Sequence, residues 1–169
     1  MRPWFRLIAI LAVVWGVVFS GGPAWGVVKS LKLERLSQTA EMIVLGRVAG
    51  TRAFFSQDGS LILTEALVSV ERCLKGATVK EIRVTAIGGR LPEKDIGLWV
   101  PDEPTFQPGE SALLFLERDS EGGWRVSGGF QGKFNLVQGR DGWLARRSDL
   151  ADQPLAQVLH QVEGLIGPR

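Results

Sequence analysis

The sequence predicts a mainly β domain carrying one clear amphipathic helix, and three observations support this. Apolar and polar residues alternate through residues 61–74, with Ile62, Ala66, Val68 and Val70 on one face and Glu65, Ser69 and Glu71 on the other. Turn chemistry recurs at short intervals, at Gln57-Asp58-Gly59-Ser60, Lys75-Gly76, Ser120-Glu121-Gly122-Gly123 and Gly139-Arg140-Asp141-Gly142. Helical periodicity is clearest near the C-terminus, at Leu155, Val158, Leu159, Val162 and Ile166.

Residues 1–26 have the order of a secretory signal peptide. Arg2 and Arg6 lie at the start, residues 7–19 are uncharged and apolar, and Gly21-Gly22-Pro23-Ala24-Trp25-Gly26 supplies small residues for cleavage. The apolar run is short of the roughly 20 residues that span a bilayer as a helix, and Gly21-Gly22-Pro23 would break one that tried to continue. The expectation is export to the periplasm or the medium without a permanent membrane anchor after cleavage. Residues 27–169 then form a single domain. Loss of Arg2 and Arg6 turns 20 Lys and Arg against 18 Asp and Glu into 18 against 18. A neutral body without clustered bases lacks the footprint of nucleic-acid binding.

Ser30 is placed to cap a short helix over residues 31–40, with Leu33, Leu36 and Ala40 at helical spacing, packed as a lid on one end of the sheet. Residues 42–56 read as a long strand bent at Gly46 and Gly50, followed by the Asp58-Gly59 hairpin turn and the alternating strand of residues 61–74. A third strand over residues 79–87 points Ile82, Val84 and Ala86 inward and completes a meander. Glycines and prolines then break the pattern over residues 88–110, with at most a short edge strand at residues 96–100; a connection of that length is usually functional. Ala112-Leu113-Leu114-Phe115-Leu116 is apolar at every position, the mark of a central strand buried on both faces. Shorter strands follow at residues 124–127, 132–137 and 143–145. The helix of about 154–166 closes the chain, with Pro154 in its first turn.

The inventory of reactive groups is thin. Cys73 is the sole cysteine, which excludes an intramolecular disulfide, and its place at the end of a strand suits a core residue. His160 is the sole histidine and lies on the flank of the helical stripe; one His and one Cys cannot assemble a paired-ligand zinc site. Asp102-Glu103 is the one place to look for carboxylate chemistry, and paired acids are more often solvated surface. The glycines of Gly88-Gly89-Arg90 lack the Lys-Ser/Thr and following helix of a phosphate loop. No catalytic residue, metal site or cofactor is expected. Arg90, Leu98, Trp99 and Phe106 in the 88–110 loop carry the aromatic and Arg character of interface anchors, the competing possibility being that Trp99 and Phe106 fold back to plug the sheet.

Leu36-Ser37-Gln38-Thr39-Ala40-Glu41-Met42-Ile43-Val44-Leu45-Gly46-Arg47-Val48, then Val68-Ser69-Val70-Glu71-Arg72-Cys73-Leu74-Lys75-Gly76, then Phe106-Gln107-Pro108-Gly109-Glu110 before Leu113-Leu114-Phe115-Leu116, resemble netrin-like domains and tissue inhibitors of metalloproteinases. The layout is also similar to small exported bacterial proteins of no assigned activity. The resemblance covers about half of residues 27–169. It implies an OB-like closed antiparallel β-barrel of five strands with a short N-terminal helix and an amphipathic C-terminal helix, and a role in binding. The N-terminal cysteine and disulfides of the metalloproteinase inhibitors are missing here, so their zinc-chelating mechanism does not carry over.

The function expected is therefore an exported non-catalytic binding module that engages an envelope or exported protein through the 88–110 loop. A protease inhibitor or protease-associated protein is one alternative. A small-ligand carrier, with a pocket between Trp124, Phe134 and the long loop, is another.

Overall fold

A computed structural model describes residues 30–167; the expected signal segment, residues 1–26, lies outside them. Helix α1 (Leu33–Thr39) leads into two long strands, β1 (Met42–Phe55) and β2 (Ile62–Lys75), joined by the Asp58-Gly59 turn. Next come β3 (Glu81–Ile87), a small hairpin of β4 (Gly89–Leu91) and β5 (Ile96–Leu98), β6 (Ser111–Arg118) and β7 (Trp124–Val126). The chain ends in β8 (Lys133–Gly139), β9 (Gly142–Arg146), the two-residue β10 (Gln153–Pro154) and helix α2 (Leu155–Ile166). No described helix is long and apolar enough to cross a membrane.

Five strands close into a barrel in the order β1-β2-β3-β7-β6, with β6 returning to β1 from Met42↔Leu116 to Arg47↔Ser111. Every seam is antiparallel except β3–β7, which meets in parallel at Val84↔Trp124. The expected mainly β fold, closed barrel and two flanking helices are present. Pleating directs Val44, Val48, Ala66, Val68, Val84, Leu114 and Leu116 into the barrel, where they are 1% exposed or less. Ile82, Val84 and Ala86 point inward as their alternation predicts.

Strand β6 explains its own composition. Its far edge is shared, with β7 pairing at Leu116–Arg118 and β8 at Ser111–Leu114, so β8, β9 and β10 splay away from the barrel. One face of β6 fills the barrel, while Leu113 and Phe115 on the other meet a second core made by Leu36, Ile43, Phe134, Val158 and Val162. A strand buried on both faces has no place for a polar residue, which is why Ala112 to Leu116 are all apolar.

Glycine makes the curvature possible. Two of the three register shifts in the β1–β2 ladder fall at glycines, at Leu45/Gly46 and Val48/Gly50, as expected of bulges; the third is at Ile43/Val44. A Cβ on Gly46 would lie 2.5 Å from the Ser69 carbonyl oxygen, so the close approach of β2 to β1 at this position requires glycine.

Two expectations for α1 are corrected. Ser30 does not cap the helix; Lys32 is the N-cap, without a side-chain bond, and the Ser30 hydroxyl donates to Asp149 instead. Nor is α1 a lid on one end of the sheet. It packs beside α2 on the outer flank of β1 and β6, because Leu36 and Ala40 match the apolar outer face of those strands. Its C-terminal carbonyls, which no further helical turn can satisfy, accept hydrogen bonds from Lys75 Nζ, at 2.8 Å for Ser37 and also at Ala40. The Lys of Leu74-Lys75-Gly76 thus joins the end of β2 to the end of α1.

Candidate functional site

The 88–110 connection contains a hairpin where an irregular loop with one edge strand was expected. β4 and β5 pair at Gly89↔Leu98, Arg90↔Gly97 and Leu91↔Ile96 around a turn at Pro92–Lys94. Strands of three residues are too short for alternation to show, and glycine and proline obscure what remains. The hairpin lies against the inner face of the β1–β2 arm where that arm extends past the barrel. Thr64 Oγ1 donates to the Gly88 carbonyl at 2.7 Å, and Lys94 Nζ sits 4.8 Å from the Phe55 ring.

The four residues singled out in this segment have different surroundings. Trp99 is 78% exposed, more than any other large apolar side chain described. Arg90 is also exposed and pairs with Asp95 at 2.9 Å. Leu98 is half-buried and, with Trp99, Glu103 and Phe106, lines a cavity of about 100 Å³. Phe106 is 8% exposed and belongs to the barrel core. Phe106 therefore folds back into the barrel core, as one of the two possibilities had it, while Trp99 stays exposed.

A buried cation fixes the plug. Lys133 Nζ lies 4.8 Å from the Phe106 ring, donates to the Thr105 carbonyl, and pairs with Glu110 Oε1 at 2.6 Å. Burial pushes the Lys133 ammonium below its ordinary pKa, while Glu110 acts in the opposite direction. The other side of the loop is held at Gly129, where the Phe130 amide donates to the Asp102 carbonyl. A Cβ on Gly129 would come within 2.1 Å of that oxygen.

Beyond the small cavity, Ile87 and Glu103 also line an open groove of about 1100 Å³. Phe55, Leu61, Leu63 and Val126 give it apolar walls, and Asp58, Glu117, Asp119 and Glu121 are among its acidic residues. Arg125 lines the groove too and is paired with Glu117 at 2.8 Å. Asp58 accepts hydrogen bonds from the Ser56 and Ser60 hydroxyls and the Ser60 amide, which lower its pKa to about 2. The exposed rings and aliphatics of this region, Phe55, Leu61 and Ile87, are not among the residues selected from sequence. Alternation could not have found Phe55: it shares the inner face with Ala53 and lies beneath Lys94, and only its place at the tip of the arm leaves it exposed.

The remaining candidates have structural surroundings. Cys73 is half-buried against the barrel core, with Sγ 3.2 Å from the Lys75 carbonyl. His160 is exposed on α2. Glu103 accepts the Ile87 amide at 3.2 Å, tying the loop to the end of β3. Trp124 and Phe134 do not share a pocket. They lie on opposite sides of β6, Trp124 against the barrel core and Phe134 in the helix-covered core, and the barrel interior between is filled with aliphatic side chains. Trp124 instead lines an opening of about 740 Å³ at the other end of the barrel, with Arg118 stacked 3.8 Å from its ring. Among the described residues, no three His, Cys, Asp or Glu side chains are grouped to hold a metal ion. No protein-family model and no curated protein matches the chain.

Proposed function

We propose that the protein is an exported, non-catalytic binding module of OB-like architecture whose β4–β5 hairpin and following loop engage a protein partner, with Trp99 as the anchor. One observation carries the reading: Trp99 is 78% exposed on a segment whose flanks are held in place by Phe106, Lys133 and the Thr64–Gly88 bond. An indole left in water beside buried neighbours forgoes a large apolar gain, and aromatic side chains on rigid supports are favoured interface anchors. Ile96 and Ile87, also exposed, add to the same end of the molecule. The OB-like part of the reading is supported by the five-stranded closure and its single parallel seam. Export rests on the order of charges, apolar residues and small residues in residues 1–26.

The test is affinity capture from the native envelope and culture medium with the intact protein, with Trp99→Ala, and with residues 90–105 replaced by a short Gly-Ser linker. A partner retained by the intact protein and lost from both variants, with Trp99→Ala still unfolding cooperatively, is the expected result. Equal capture by all three, or capture by none, overturns the proposal.

A further inference from the structure

The second surface of interest is a backbone edge. Strand β1 pairs with β6 only from Met42 to Arg47, and the 107–110 turn then covers Val48, whose amide donates to Glu110 and whose carbonyl accepts from Gly109. Residues 50–55 pair with β2 on one side, and among the described residues no strand pairs with them on the other. After the register shift at Val48/Gly50 their ladder with β2 is regular as far as Phe55↔Ile62.

The direction of the free groups follows from the ladder. The Ser56 amide donates to the Leu61 carbonyl, whereas the Ile62 carbonyl accepts from Gly88 on the β3 side. Ser56, Phe54 and Arg52 therefore bond toward β2, and Thr51, Ala53 and Phe55 point their N–H and C=O groups to the open edge. An uncovered edge of this kind is a template for another strand.

We propose that residues 50–55 pair with the same edge of a second copy, forming an antiparallel two-fold dimer centred on Ala53. The register follows from the sequence. Centring on Ala53 sets Ala53 against Ala53 and Thr51 against Phe55 twice over, so all three outward-pointing residues join hydrogen-bonded pairs. It also places Arg52 of each copy opposite Phe54 of the other, on the face where Arg52 already lies 5.2 Å from its own Phe54 ring. Centring on Arg52 would set two guanidinium groups against each other, and centring on Phe54 would waste an outward-pointing residue. Ala53, the smallest of the three outward-pointing residues, thus falls on the axis, and the segment's one charge meets an aromatic face. The paired edge is short beside a standard interface of roughly 1,200–2,000 Å², so the dimer forms in a concentration-dependent way. This surface is distinct from Trp99.

Sedimentation equilibrium over a wide concentration series, on the protein purified as the cell processes it, tests the idea. The expected result is a monomer–dimer equilibrium that Ala53→Pro abolishes; proline removes only an N–H that faces outward, so the ladder with β2 is kept. A protein monomeric at every concentration, or a dimer that a folded Ala53→Pro variant leaves unchanged, overturns the proposal. Register is read separately in a Cys73→Ser background. Ala53→Cys should oxidise to a disulfide-linked dimer, and Thr51→Cys should cross-link to Phe55→Cys in a mixture rather than to itself. Preferential self-linking of Thr51→Cys or Phe55→Cys would rule out this register.

Discussion

Lys133 shows how one residue can hold a functional segment in place. Its ammonium is buried beneath the 88–110 connection with Glu110 as its charged partner and Phe106 against it. Removing Glu110 leaves a buried cation unpaired, and such losses cost roughly 3–5 kcal/mol. Glu110→Ala should therefore lower stability by about 3 kcal/mol in urea denaturation, with proteolysis reporting a loosened 105–110 segment; Lys133→Met combined with Glu110→Gln, which removes both charges of the pair, should cost much less. Ser37 is the opposite case, because its hydroxyl is buried with no hydrogen-bond partner among the described residues. Ser37→Ala removes an unsatisfied group, and its melting temperature should equal or exceed that of the wild type. Asp58 provides a pH test at the tip of the β1–β2 hairpin. Its pKa in the fold, about 2, lies below the roughly 3.9 of an unfolded aspartate, so its contribution is complete above that value and is lost as pH falls through about 2. Carboxyl chemical shifts of Asp58 against pH check this, and a midpoint near 4 would mean the Ser56–Ser60 network is not formed in solution.

At the scale of elements, the sequence was legible where one periodicity ran long enough to be counted. The alternation of β2, the inward triad Ile82, Val84 and Ala86 of β3, the doubly buried β6 and the stripe of α2 all appear as the residues predict. What was hidden depends on direction or on distant partners. Trp99 and Phe106 look alike as aromatic loop residues, and only the fold decides that one ring enters the barrel and the other faces water. The capping of α1 was hidden for the same reason, since its partner Lys75 is remote in sequence and lies at the end of β2. That contact gives a direct test. Lys75→Met keeps most of the stem and removes the ammonium from the carbonyls of Ser37 and Ala40, and a lost helix-terminal charge of this kind costs about 1 kcal/mol. Amide exchange should quicken in α1 while the centre of β2 stays protected; unchanged exchange in α1 would show that water replaces Lys75 without loss.

At the scale of the molecule, the barrel core and the helix-covered core are joined through one strand. Leu114 and Leu116 face the barrel, while Leu113 and Phe115 face α1 and α2, and all four are fully buried. Neither core can be uncovered without exposing a side of β6, so both should be lost in one transition even though they share few side chains. Val162, at 0% exposure in α2, is the place to test this, because Val162→Asp puts an unpaired carboxylate against Leu113 and Phe115 without touching the barrel interior. If the cores are coupled through β6, hydrogen exchange in β2 and β3 should accelerate together with exchange in α2 and β8, and circular dichroism should show a single melting step. A barrel that kept its protection while α2 exchanged freely would mean that β1-β2-β3-β7-β6 closes on its own and that the helices are a dispensable covering. That outcome would also bear on binding, since Trp99 and the β4–β5 hairpin rest on the barrel rather than on the helices. Trp99→Ala serves as the control in the same experiment: an indole that is 78% exposed should contribute within about 0.5 kcal/mol to stability, leaving both cores and their common transition unchanged.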